Sequence, residues 1–374
     1  MQNFLCFQPQ YFSRFKCDSS RCNPCCCGGW NILVDKETYS RCPKEFAAHL
    51  KFDAKLDNYL LQFNEKNFCP LLTDEKLCGL QLKYGESFLS PTCRTYPRVI
   101  NFFGNFFERS LTASCSVAAD LILFHEEPTA FELVEIPRNI TKNHLLNPIR
   151  VDEKFSAYVI DIQVAMISIL QERTLTIDQR LIVLGFFLDK LDEIFMNGLD
   201  EDALIKLIAA YESKKFFAEQ VPRMLRSVTF NEEKFSRLML ETFAELPDKI
   251  IPGAAVAANY KLLAVFRKKF RAKYAIFLEN FLVNEIFMLC CPWRFSSTFT
   301  NNFAFFVALY KLFELMLLSA AVKNSLTKER LMTLARHFEK QIIHVQDCQE
   351  KIFLKLENAG DVLTFTEALL EGSD

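Results

Sequence analysis

From residue 151 onward, apolar side chains recur at three- and four-residue steps, the period of a helix with one buried face. Leu331, Leu334, Ala335, Phe338, Ile342 and Val345 fall on one such face. Thr176 and Gln179 stand at capping-box spacing ahead of the apolar run Leu181 to Leu188. There the hydroxyl and the amide would each satisfy a backbone N–H near the helix start. The same reading predicts helices near 155–171, 178–196, 201–219, 231–245, 257–290 and 302–323. The most apolar stretch, Phe303 to Val322, carries Lys311 and Glu314. A membrane span should avoid those charges, so this stretch reads as a core helix.

The first third lacks that period. Short helices are expected around 44–64 and 115–124, and a brief strand at Trp30 to Val34. The segment His125 to Pro148 holds three prolines and mixed polarity, and reads as a connector. The expected fold is mainly α: an irregular cysteine-rich metal-binding module over 1–124, a connector over 125–150 and an all-helical domain over 151–374.

Half of the 374 residues are hydrophobic, enough for a sizeable core. Phe is abundant at 38 residues and Gly scarce at 10, which favours long packed elements over loops. A formal charge of −2 gives no reason to expect a nucleic-acid partner. Met1 to Lys16 interleaves polar and aromatic residues where an export signal needs an unbroken apolar stretch, so a soluble cytoplasmic protein is expected. An oligomer is compatible with this composition.

Cysteine changes the picture. Of fourteen, eleven lie before residue 120. The cytosol keeps thiols reduced, so metal ligation or redox chemistry explains them better than disulfides. The densest run is Cys17, Cys22, Cys25, Cys26 and Cys27, followed by Gly28 and Gly29. A wider set follows at Cys69, Cys78, Cys93 and Cys115. Thiolates are soft ligands for zinc, copper(I) or iron–sulfur clusters. Adjacent cysteines have Cα atoms about 3.8 Å apart and diverging side chains, so Cys25, Cys26 and Cys27 should not all hold one ion. The paired C-x2-C spacing of a zinc ribbon is absent. So is C-x3-C-x2-C, the radical S-adenosylmethionine pattern, because Cys17 to Cys22 is one residue too long.

Other motifs carry less. Arg94 and Arg98, in the run Cys93 to Arg98, could clamp a carboxylate or phosphate, or pair locally with Glu86 and Glu108. The basic run Arg267 to Lys273 reads as a solvated helix face, or as a docking patch for an acidic protein or for peripheral contact with a membrane. His49, His125, His144, His337 and His344 lack metal-ligand spacing. No P-loop, G-x-S-x-G or G-x-G-x-x-G occurs.

A longer pattern carries a resemblance. Tyr11-Phe12 precedes Cys17-x4-Cys22-x3-Cys26-Cys27-x-Gly29-Trp30, then Asp35-x2-Thr38-Tyr39. Cys69-Pro-Leu, Leu77-Cys78-x-Leu80 and Gly85-Glu86 follow, then Thr92-Cys93-Arg94-Thr95-Tyr96-Pro97-Arg98, Glu108-Arg109-Ser110-Leu111 and Ser114-Cys115. Further on stand Glu279-Asn280-x3-Asn284 and Pro292-Trp293. This order resembles the flagellin lysine-N-methylase family. The resemblance implies a protein-lysine N-methyltransferase acting on flagellin, with S-adenosylmethionine as methyl donor and a four-iron four-sulfur cluster on the cysteine motif. Cys17, Cys22, Cys26 and Cys27 are then the expected ligands, with Cys69, Cys78 and Cys93 as a second set and Cys25 as a spare thiol. Arg94, Tyr96 and Arg98 are the expected cofactor-binding residues; no catalytic base is singled out. The alternatives are a non-enzymatic metal-binding adaptor and an iron–sulfur redox protein.

Overall fold

A computed structural model describes residues 3–18, 26–28, 32–137, 140, 144–152, 155–226, 260–296, 298–323 and 326–358. The helix expected at 231–245, and Cys22 and Cys25, lie outside the described residues. The chain forms two units: Met1–Leu121 with Ala130–Pro148, and Ile122–Thr129 with Ile149–Asp374.

The first unit is not irregular. Its strands are β1 (Phe4–Pro9), β2 (Leu33–Val34), β3 (Leu50–Asp53), β4 (Asn58–Leu61), β5 (Arg98–Phe102), β6 (Phe106–Leu111), β7 (Phe131–Ile136) and β8 (Asn147–Pro148). They make a five-stranded sheet in the order β7-β1-β6-β5-β8 and a three-stranded sheet in the order β2-β4-β3. β1 runs parallel to β6 and β5 to β8, while β1–β7 and β5–β6 are antiparallel. The large sheet escapes sequence reading because β6 is buried on both faces, Arg109 excepted. Such a strand shows no apolar–polar alternation. β7 lies inside the expected connector and pairs with β1 along its whole length.

Short helices complete this unit: α1 (Tyr11–Arg14), α2 (Lys36–Arg41), α3 (Lys44–Ala47), α4 (Gly79–Tyr84), α5 (Pro91–Thr95) and α6 (Ser116–Leu123), the last running on past the unit boundary. The helix expected over 44–64 stops at Ala47 and gives way to the β3–β4 hairpin. Asp53 turns the chain there, its Oδ1 accepting from the N–H groups of Lys55 (2.9 Å) and Leu56 (3.1 Å), with Asp57 in the left-handed region at φ 51°. α6 and β2 fall where the sequence put a helix and a strand.

The second unit is helical as expected: α7 (Val159–Leu170), α8 (Ile177–Met196), α9 (Glu201–Tyr211), α10 (Lys214–Glu219), α11 (Val221–Arg226), α12 (Tyr260–Met288), α13 (Phe299–Lys323), α14 (Lys328–Phe338) and α15 (Gln346–Asn358), with a π-helical turn at Glu339–Ile343. The capping box forms: Gln179 N–H donates to Thr176 Oγ1 and Thr176 N–H to Gln179 Oε1. Within α13, Phe299–Ala321 is long and apolar enough to cross a membrane, yet 83% of its most apolar window is buried inside the fold.

The charges in α13 have partners. Arg271 on α12 grips Glu314 through Nε (2.5 Å) and Nη2 (2.8 Å) and also pairs with Asp178, which receives Lys311 Nζ at 2.8 Å. The basic run is therefore split by the helical period. Arg267 and Arg271, four residues apart, turn inward, while Lys268, Lys269 and Lys273 face solvent. The Glu279-Asn280 motif is a clamp. Buried Glu279 accepts from Arg173 and Arg180, and Asn280 Nδ2 donates to the carbonyls of Leu123 and His125.

Candidate functional site

The cysteine-bearing segments are laced together by backbone. Cys69 N–H donates to the Cys27 carbonyl at 2.7 Å, and Gly28 bridges to Phe68. Leu72 bridges to Cys78, and Gly79 N–H donates to the Leu71 carbonyl at 2.9 Å. Both crossings require glycine. A Cβ on Gly28 would stand 2.6 Å from the Asn67 carbonyl oxygen, and one on Gly79 2.7 Å from that of Leu71. Cys78 sits at the N-cap position of α4. Cys93 lies in the first turn of α5, where its N–H donates to the Ser90 hydroxyl at 3.2 Å.

Cys69, Cys78 and Cys93 pack against one apolar cluster that includes Ile32, Val34, Phe46, Leu61, Leu80 and Leu89. Burial pushes the Cys93 thiol up to about 12; a hydrogen bond from Ser90 opposes this, and Cys78, Cys26 and Cys69 add to it. Cys78 is raised by burial, with Cys26 again contributing. Four thiols from three stretches of chain thus lie near enough to feel one another's charge. Cys17 is exposed as a residue, but desolvation of its sulfur raises it, followed by Cys26 and Cys115, while Arg98 pulls it down. Cys26 therefore neighbours the second cysteine set as well as Cys17. Cys115 joins the group although sequence reasoning left it out of the ligands; its signal was its place in the resemblance. The twelve described cysteines are thiols, none in a disulfide. Among the described residues, no three Cys, His, Asp or Glu side chains are gathered closely enough to hold a metal ion.

The three residues expected to bind a cofactor have different surroundings. Arg94 Nη2 donates to the carbonyls of Ser87 (3.1 Å) and Leu89 (3.0 Å) and more loosely to that of Glu86 (3.4 Å), which fastens the turn before α5. The Tyr96 hydroxyl is 2.9 Å from Ser114 Oγ, which accepts from Thr112 Oγ1 at 2.9 Å. Arg98 lies over the Phe15 ring at 5.2 Å, and its Nη1 reaches the Arg94 carbonyl at 3.4 Å. Burial lowers its pKa. Glu108, one of the acids expected to pair with these arginines, is fully buried. It alternates with Arg109 along β6 and so points to the other face of the sheet.

Arg109 is a residue that sequence reasoning missed. Its Nε (2.9 Å) and Nη2 (2.5 Å) donate to Gln8 Oε1, and its guanidinium lies over Phe12 at 4.6 Å. The β5–β6 register pairs Arg98 with Leu111 and Ile100 with Arg109, so both arginines lie on one sheet face. The sequence carried no signal for it, because β6 shows no apolar–polar alternation, and its sheet face follows only from the β5–β6 register.

Residues 163–370, more than half of the chain, match the family described as FliB lysine N-methylase C-terminal domain. The flagellar biosynthetic protein FliU of Salmonella muenchen is 29% identical over 146 residues, covering 36% of this chain and 85% of that protein. The lysine-N-methylases of Salmonella typhimurium (strain LT2) and Salmonella choleraesuis (strain SC-B67) are 29% and 28% identical over 146 residues. Those matches span only 36% of this chain and 36% of each enzyme. No solved structure matches. The extent of the domain match decides the affiliation: this chain belongs to the FliB lysine N-methylase family.

Proposed function

We propose that the protein is a cytoplasmic protein-lysine N-methyltransferase acting on flagellin, with S-adenosylmethionine as methyl donor and a four-iron four-sulfur cluster held by its cysteines. Family membership and the names of the relatives support the methylase part. The observation that carries the metal part is the convergence of Cys26, Cys69, Cys78 and Cys93. The donor set fits: soft sulfur ligands, partly buried, whose ionisation is opposed by burial and by one another until a cation offsets their charge. A many-metal cluster presents separated irons, which suits thiols that are near one another but not gathered around one ion. These four cysteines would hold it, with Cys17 alongside. Bound there, a cluster would supply a redox-active iron centre.

Methyl transfer from a sulfonium requires a neutral lysine amine, and a free lysine is mostly protonated at pH 7. The chain must desolvate that ammonium or accept its proton. Of two groups near the site able to take part, Glu108 is inaccessible and Tyr96 is half-buried, with its hydroxyl linked through Ser114 to Thr112. Tyr96 is therefore the better placed.

Anaerobic purification and iron analysis test the metal part. A brown protein absorbing near about 400 nm is expected. Cys93→Ala should lower iron per chain by about tenfold or more, while Cys348→Ala, in the helical unit, should not. A colourless zinc protein, or equal loss in both variants, defeats the assignment. Labelled S-adenosylmethionine and flagellin test the methylase part. A cluster-replete protein that leaves no label on lysine is an adaptor or redox protein instead.

A further inference from the structure

Arg98 and Arg109 are diagonal neighbours on one face of the large sheet, a placement that puts two guanidinium groups side by side. Each is half-buried and lies over an aromatic ring of the first segment, Phe15 for Arg98 and Phe12 for Arg109. Neither has a carboxylate within salt-bridge distance among the described residues. Arg98 has one long bond to a main-chain carbonyl. Arg109 has two bonds to a neutral amide oxygen, that of Gln8. Two carboxylates stand nearby without closing on them. Glu132 accepts from Gln8 Nε2 at 2.7 Å and from Ser13, and Glu86 acts on Arg98 only at a distance. The positive field reaches further: burial lowers the His144 pKa first, and Arg98 and Arg94 lower it next.

Adjacent like charges of this kind repel, and their repulsion is weakly screened where water is partly excluded. A bound anion would relieve it. Guanidinium groups seated over aromatic rings suit a planar oxyanion, because they offer fixed positive charge and lose little freedom on binding. The Nε–Nη2 edge of Arg109 is given to Gln8, so an anion would meet its other side or displace that neutral amide. Arg94, the other arginine of the motif, is already committed to main-chain carbonyls. The pair also borders the cysteine set, since Cys17 feels the charge of Arg98.

We propose that Arg98 and Arg109 form an oxyanion subsite that takes the carboxylate of the methyl donor's amino-acid tail. The identity of that donor as S-adenosylmethionine rests on the function proposed above; the subsite itself rests on the sheet register and the missing counter-ions.

The test is titration calorimetry on the full-length, cluster-replete protein with S-adenosylmethionine and with decarboxylated S-adenosylmethionine, each also in the presence of sulfate. The parent should prefer the carboxylated donor, and sulfate should weaken that donor alone. Arg109→Gln and, separately, Arg98→Gln should each weaken the carboxylated donor by about tenfold, in line with loss of a charge-assisted hydrogen bond. Both should bind the decarboxylated donor as the parent does, which also shows that they are folded. Equal affinity of the parent for both donors overturns the subsite, as does equal weakening of both donors in the variants. Labelled methyl transfer run in parallel separates the two levels. If the parent transfers methyl but the variants keep full affinity, the subsite falls and the methylase stands. If the parent neither binds donor nor transfers methyl, both fall.

Discussion

The two units treat buried charge in opposite ways. In the helical unit, charges are closed into sets. Glu279, 1% exposed, is gripped by Arg173 and Arg180, and Arg271 and Lys311 converge on Asp178 and Glu314. In the sheet unit, Arg98 and Arg109 stand together among carbonyl and amide oxygens, aromatic rings and the Cys6 thiol, with no carboxylate closed on them among the described residues, and four thiols oppose one another's ionisation. Closed sets fix one helix against another, because removing any member strands a charge in a dry interior. Open sets gain from something supplied from outside. The difference separates charge closed into architecture from charge left open to the ligands proposed above.

The strongest way to break this comparison is Glu279→Gln. It leaves Arg180, only 4% exposed at its side chain, without its carboxylate. A loss of about 3–5 kcal/mol is expected in urea unfolding of the helical unit, followed by circular dichroism. A loss below about 1 kcal/mol would place Glu279 among the dispensable charges and blur the contrast.

The next effect is set by pH. Burial, aided by Lys340, pushes His344 down to about 4 from an ordinary value near 6.5. The unfolded chain takes up that proton at about 6.5 and the folded one resists until about 4. The stability from this residue is thus fully present above about pH 6.5 and is lost as pH falls toward 4. His344→Gln should remove this part of the slope. Parallel pH profiles for parent and variant would show that the fold does not keep this imidazole neutral.

Gly79→Ala should have the smallest effect on the fold. The new methyl would meet the Leu71 carbonyl oxygen at 2.7 Å, and backbone must shift at a cost of about 1–3 kcal/mol. Because the shift moves Cys78 relative to the loop after Cys69, metal content should fall more steeply than melting temperature. The reverse order would make this crossing structural first.

The helical unit was largely legible because its period and its Thr176–Gln179 cap are local properties. The sheet was not. A strand such as β6, with Phe106, Phe107, Glu108, Ser110 and Leu111 all buried, displays no alternation to read. Cysteine density marked the region where Cys26, Cys69, Cys78 and Cys93 neighbour one another, but the grouping of its members depends on crossings such as Cys27 to Cys69 that no spacing rule encodes. Likewise Arg267 and Arg271 looked solvated among lysines until their four-residue separation met the acids of α8 and α13.

The place of β7 in the chain has a consequence for biosynthesis. β1 emerges from the ribosome first, but β7, which pairs with it over all six residues, follows about 120 residues later. At about 5–20 residues per second, the nascent Phe4–Pro9 segment waits about 6–25 seconds for that edge to be covered. During that interval Phe4, Leu5 and Phe7 are open to other apolar chains. A fragment ending at residue 124 would leave the same edge of β1 uncovered permanently, so soluble expression of the cysteine module should require the chain through Pro148.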